Sequence, residues 1–203
     1  MTDRRGTQAW RINADGSDLR QLTSGSGSTG SAIPSRDGTQ LVTTLQGTEH
    51  LAFFDVRDFS KPRHVAMPAV EPRGGGLQMR DWSPDGRTVL FNVQSPAIGG
   101  GPNLWSYDVV TSATRRVADC GAASWMKDSR RIVCLRGAGF GSPARLAVVD
   151  VSSGLVKELE LGSPGGGQGG VQLAADDTQL FFMMNSLAAD IWVARFEQPA
   201  RSQ

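Results

Sequence analysis

The chain has 203 residues, 39% of them hydrophobic and 20% charged, enough apolar material for a sizeable core and too much for a disordered chain. Twenty-one Lys and Arg face 20 Asp and Glu for a net charge of +1, so neither a basic nucleic-acid binder nor an acidic tail is indicated. Twenty-five glycines, well above the usual ~7%, make a chain rich in turns.

Residues 1–6 have no apolar run behind them, so a secretory signal is not expected. A start upstream of Met1 would leave export open, and the sequence assigns neither a compartment nor an oligomeric state. No stretch approaches the ~18 apolar residues of a membrane span. The first predicted strand carries Trp10 and Ile12. It is followed by the turn Asp15-Gly16-Ser17-Asp18 and a second strand over 19–23.

A strand–corner–strand element then appears as Pro34-Ser35-Arg36-Asp37-Gly38, and recurs as Trp82-Ser83-Pro84-Asp85-Gly86. Asp-Gly favours a tight corner because glycine tolerates positive φ and aspartate bonds nearby backbone. Two further copies, Trp125-Met126-Lys127-Asp128-Ser129 and Ala174-Ala175-Asp176-Asp177, depart from Pro-Asp-Gly and predict less ideal corners. The corner aspartates, at 37, 85, 128 and 176, are 48, 43 and 48 residues apart. A second strand follows each corner, at 51–56, 104–109, 146–151 and 191–196, and most of these lead through a turn into one more strand.

Each repeat is thus four short strands, a-b-c-d, with no sustained helical period. A four-stranded repeat of about 40–50 residues is the signature of a propeller blade, and blades must stack to bury both faces. The expected fold is an all-β propeller of four-stranded antiparallel blades spanning 1–203 as one array. It has a half blade at 8–23, blades at about 31–68, 77–118 and 121–161, and a partial blade at 171–197. That is about four blades plus a spare strand, an incomplete or open ring.

The run Trp82-Ser83-Pro84-Asp85-Gly86-Arg87 with Asn103-Leu104-Trp105-Ser106-Tyr107-Asp108 resembles the TolB-type (WD40-like) propeller repeat. So does the stretch from Trp10 through Asp15-Gly16-Ser17-Asp18 to Thr23. The ending Ala189-Asp190-Ile191-Trp192-Val193 is similar to the last blade of propellers that follow bacterial serine/threonine kinase domains. The Gly-His and Trp-Asp pairs of the WD-repeat family are missing. The resemblance implies a non-catalytic module that binds a protein or peptide. Its alternative is a C-terminal sensor or accessory propeller of a multidomain enzyme, a serine/threonine kinase or a prolyl-oligopeptidase-type peptidase, whose catalytic domain lies outside this chain.

Strand direction puts the b–c and d–a connections on one face of such an array and the corners on the other. The long Gly-rich connections gather on the first face, where function usually concentrates. Candidate binding residues there are Glu49, His50, Glu71, Arg73, Asn103, Arg136, Arg145 and Asp190, with Arg80 and Asp81 on or beside an innermost strand facing the channel.

No catalytic constellation stands out, and no enzyme activity, cofactor, metal or nucleic acid is expected. Gly165, Gly167 and Gly170 fit G-x-G-x-x-G, but Pro164 precedes them and a strand follows, without the helix a dinucleotide site needs. There is no G-x-S-x-G, no H-E-x-x-H, and only His50 and His64. Asn13 to Asp18 faintly echoes a calcium loop yet fits a hairpin, and Asp176-Asp177 fits a corner. Trp10, Trp82, Trp105, Trp125 and Trp192 recur in step with the repeat and are expected between blades. Cys120 and Cys134 are too few for a disulfide framework; they are read as reduced core or edge residues, a single bridge being the alternative.

Overall fold

A computed structural model describes residues 7–23, 29–45, 50–67, 76–93, 103–136, 145–159, 171–174 and 176–182. Among these residues sixteen strands form five antiparallel sheets in chain order. The first is the pair β1 (Trp10–Arg11) and β2 (Arg20–Gln21). Then come three four-stranded meanders. The first of these is β3 (Thr29–Pro34), β4 (Gln40–Leu45), β5 (His50–Asp55) and β6 (Asp58–Ala66). The second is β7 (Leu77–Trp82), β8 (Thr88–Val93), β9 (Asn103–Asp108) and β10 (Thr114–Ala118). The third is β11 (Cys120–Trp125), β12 (Arg131–Arg136), β13 (Arg145–Asp150) and β14 (Val156–Leu159). The pair β15 (Val171–Leu173) and β16 (Leu180–Phe182) is the last among the described residues.

The chain is an array of propeller blades. The first strands of successive sheets, β3, β7, β11 and β15, lie side by side, and each of the three meanders breaks register in that strand. The irregularities fall at Thr29/Ala32, Met79/Asp81 and Cys120/Ala123. A bulge there bends and twists the strand where the blades crowd together. Middle strands such as β8 are buried along nearly their whole length, whereas the last strands β6 and β14 are mostly exposed and β10 is half-buried to exposed.

Four apolar layers lie between the five sheets. Leu41, Ala52 and Phe54 receive Ala9 and Leu22 of the first pair. Val42, Leu51 and Phe53 meet Met79, Trp82 and Tyr107. Leu90 and Leu104 meet Trp125, Ile132 and Val149. Val133, Leu135 and Leu146 meet Val171. Trp82 and Trp125 are 1% exposed, so these two repeat-locked tryptophans are interblade core, and Trp105 packs against the same core. Trp10 departs from the expectation at 57% exposure. Alternate strand residues face opposite ways, and Ala9 and Leu22 take the face toward the next sheet. Trp192 lies outside the described residues.

Two further expectations are corrected. The Cys120 and Cys134 sulfurs are joined in a disulfide, buried between the neighbouring strands β11 and β12, rather than standing as reduced thiols. The bulge in β11 carries the link, because it sets Cys120 opposite Arg136 while Ala123 faces Cys134. The corners at 126–129 and 174–177 are not looser than the Asp-Gly ones. Ser129 and Asp177 take the left-handed conformation at φ 54° and 60°, as Gly38 and Gly86 do at 68° and 73°. Each closes the same bond: Ser129 N–H to Met126 O at 3.1 Å and Asp177 N–H to Ala174 O at 2.9 Å, against 2.9 Å in both glycine corners.

Candidate binding surface

The corner side of the array is chemically occupied. Asp37 accepts the Ser35 hydroxyl and the Thr39 N–H, and these bonds hold its carboxyl below the ordinary 3.8. Asp55 accepts the guanidinium and then the N–H of Arg57, which lower its pKa to about 2. Asp150 is held lower still, first by the Ser152 hydroxyl and the Ser153 N–H. Asp15 is taken by Ser17, and Asp18 by Arg11 and Arg20, so the segment that echoes a calcium loop is a hydrogen-bonded hairpin. Asp176 is bonded to Thr178, as a corner carboxylate should be.

Apart from Asp119, which joins β10 to β11, the b–c and d–a connections lie largely outside the described residues, and with them Glu49, Glu71, Arg73, Asp190 and the glycine run at 165–170. The strand ends that border those connections are described. His50, Asn103, Arg136 and Arg145 lie at those strand ends and Arg80 reaches toward them from the β7 bulge, whereas Asp81 lies at the corner end of β7.

In the second meander a polar row runs from the inner to the outer strand. Arg80 sits at the β7 bulge. Its Nε donates to Asn92 Oδ1 and its Nη2 to Gln78 Oε1 at 2.8 Å. Asn92 Nδ2 donates to the Asn103 and Cys120 carbonyls at 2.9 and 2.7 Å, tying this sheet to the next. Asn103 Oδ1 accepts Arg116 Nε at 3.0 Å, and Arg116 pairs with Asp119. Among the described residues Arg80 has no carboxylate partner, and burial lowers its pKa. Among the described residues its side-chain partners are the two amides of Asn92 and Gln78.

Asp81 has a different role from its neighbour. Its carboxylate accepts the Trp82 N–H at 2.8 Å within its own strand, and the Trp125 N–H at 2.8 Å and Ser124 hydroxyl at 3.1 Å from the next sheet. It is an interblade clamp with its oxygens engaged by protein.

In the third meander Arg136 and Arg145 face each other across β12 and β13. Both donate to Glu158 of β14, at 3.2 and 3.1 Å. Two guanidinium groups share one carboxylate, leaving a net positive charge at the rim. Among the described residues the buried Arg136 Nε–H has no acceptor, while the Arg145 side chain is 65% exposed. His50 opens β5 opposite Ala66, half-buried, at the corresponding end of the first meander. His64 lies on the exposed outer strand β6.

Sequence reasoning passed over Gln78, Asn92, Arg116 and Glu158. Asn92 had a readable signal, a polar residue inside the apolar run Thr88-Val89-Leu90-Phe91-Asn92-Val93, where a buried amide must find partners. Arg116 and Glu158 sit on outer strands of ordinary polar pattern and gave none.

No protein-family model matches the chain, and no curated protein sequence does either. Solved structures do match. TolB from Acinetobacter baumannii superposes with a TM-score of 0.68 at 17% identity, covering 90% of this chain and 44% of that one. An oligogalacturonate lyase in complex with manganese superposes at 0.60 and 16% identity, covering 85% and 49%. Pyrococcus horikoshii acylaminoacyl peptidase gives 0.51 and 14% identity, covering 70% and 26%. The fold is a TolB-like β-propeller array, and the chain spans less than half the length of each of these proteins. Among the described residues no helix is long and apolar enough to cross a membrane.

Proposed function

We propose that the chain is a non-catalytic propeller module that binds a protein or peptide through the side carrying its long connections. The observation that carries this reading is the arginine pair on a single carboxylate. Arg136 and Arg145 compete for Glu158, so an acidic group on a partner completes their coordination without displacing a stable pair. Guanidinium groups suit that task, because they bind carboxylates in a fixed fork geometry. On the corner side, Asp37, Asp55, Asp150 and Asp176 are engaged by their own turns.

The test is selection of a phage-displayed peptide library on the immobilised 203-residue chain. Peptides rich in Asp and Glu should be enriched, and Arg136→Glu or Arg145→Glu should weaken them at least tenfold, with the circular dichroism unchanged. Failure to enrich any peptide, or binding indifferent to both reversals, would reject this surface.

A second reading is an accessory propeller of a multidomain enzyme. The superposition on about a quarter of acylaminoacyl peptidase and the kinase-propeller-like ending at 189–193 favour it. Sequencing the native transcript decides it. An in-frame kinase or peptidase pattern upstream supports the reading, and an in-frame stop directly upstream removes it.

A further inference from the structure

The first and last described sheets are complementary halves of a blade. Each full meander runs a-b-c-d from its innermost strand outward. β15 lies beside β11 and β12, so β15–β16 stands as an inner pair, a-b. β1–β2 packs Ala9 and Leu22 against Leu41, Ala52, Phe54 and Phe59 of β4, β5 and β6, so it stands as an outer pair, c-d. Among the described residues β1 pairs only with β2 and β16 only with β15. Each presents an edge to which a further strand can be added.

Their faces are complementary too. Trp10 stands opposite Gln21, and the Leu22 N–H donates to the Ala9 carbonyl. With Ala9 and Leu22 turned to the first meander, alternation puts Trp10, Ile12 and Leu19 on the far face. They are 57%, 54% and 61% exposed. At the other end, β15–β16 turns Val171, Leu173, Leu180 and Phe182 to the third meander, over its inner strands. The same face continues outward through Leu146 and Val148 of β13 and Leu159 of β14, and on to Leu155. Val148 is only half-buried and Leu155 is 73% exposed. The third meander therefore lacks an outer pair with an apolar face, and β1–β2 carries one. In turn, Phe181 is exposed on the far face of β15–β16, and Ala32 is exposed on β3, where the first meander lacks an inner pair.

We propose that a second copy of this chain covers both places, joined head to tail. β16 of one copy pairs antiparallel with β1 of the other, giving a composite sheet ordered β15-β16-β1-β2, as in the full meanders. Trp10, Ile12 and Leu19 then close over β13 and β14 of the first copy, and Phe181 turns to the first meander of the second. A foreign strand would satisfy one edge, whereas a second copy supplies the missing inner pair and the missing outer pair together. The contact joins opposite ends of the chain, so it is heterologous, and a ring of two copies satisfies both ends of each. The pairing does not depend on the function proposed above.

Sedimentation equilibrium of the 203-residue chain should give twice the chain mass, with a dissociation constant of about 1 μM or lower. Leu19→Asp, at an exposed position, should weaken the dimer at least tenfold with the circular dichroism unchanged. Arg11→Cys and Phe181→Cys fall on one face of the composite sheet. Mixed as single variants and treated with a bis-maleimide, they should cross-link to a dimer, and neither should do so alone. Amides of β1 and β16, the least protected in the single chain, should exchange more slowly as concentration rises through the dissociation constant. A monomer at every concentration overturns the proposal and leaves the Trp10 face to a segment outside the described residues or to another protein. Mass that keeps growing past two copies, a mixture that does not cross-link, or a doubly substituted chain that cross-links only to itself also overturns it.

Discussion

Ser129 and Asp177 stand where two other corners carry glycine, and each uses its side chain to reach back to the preceding corner. Ser129 Oγ accepts the Asp85 N–H at 3.0 Å, and Asp177 Oδ2 accepts the Lys127 N–H at 2.8 Å. A left-handed serine costs about 1 kcal/mol relative to glycine, and a hydrogen bond of this kind returns about the same. Ser129→Gly should therefore change stability by less than about 0.5 kcal/mol. Gly86→Ala meets no steric neighbour but keeps the positive φ, and should destabilise by about 1 kcal/mol. Urea unfolding of the two variants separates these effects. At Asp55 the sign of the pH dependence follows from a folded pKa of about 2 against an ordinary 3.8. The folded state gains from the ionised carboxylate above pH 4, and that gain is lost as pH falls from about 4 to about 2. Carboxyl NMR titration should show the low midpoint in the native chain, moving up toward 3.8 in Arg57→Ala, since Arg57 is its main cause.

At the scale of elements, adjacent blades are joined by backbone-directed polar links as well as apolar packing. Asp81 joins β7 to β11, and Asn92 joins β8 to β11. Asp81→Ala leaves the Trp125 N–H without its acceptor and should cost about 1.5–3 kcal/mol, measured by chemical denaturation. The Cys120–Cys134 bridge closes a sequence separation of 14 residues. The native chain should take up no alkylating reagent before reduction, and Cys120→Ser/Cys134→Ser should be less stable by about 2–3 kcal/mol. The strands themselves were legible in the sequence because alternating apolar runs and Asp-containing corners recur at one period, and period and corner chemistry are local properties. The bridge was not, because its partners meet only through a β11 bulge that shifts register. The rim is legible only in part for the same reason. Arg136 and Arg145 can be seen as charges beside long connections, but their sharing of Glu158 depends on three strands being placed side by side. Asp81 reads as a channel charge in sequence, and only the packing of the next sheet turns it into a clamp.

At the scale of the whole molecule, each described sheet packs on the sheets next to it in sequence. In such arrays stability is close to a sum of unit terms and neighbour terms. The central meander, β7 to β10, has a four-stranded partner on both sides, whereas among the described residues β1–β2 and β15–β16 are two-stranded. Native-state hydrogen exchange should therefore find the slowest amides in β8, at fully buried Val89, Leu90 and Phe91, and the fastest in the two terminal pairs. Uniform protection from β1 to β16 would instead mean that the array opens only as one unit.

The corner aspartates are 48, 43 and 48 residues apart, and each spacing spans one packed unit. Pulled from its two ends, such a chain should yield one sheet at a time. Each rupture would release roughly 160 Å of slack, the extended length of about 46 residues. A force–extension trace would be a sawtooth whose tooth spacing is the repeat length. The same unit that appears as a rhythm of corners along the sequence would then appear as a ruler under load.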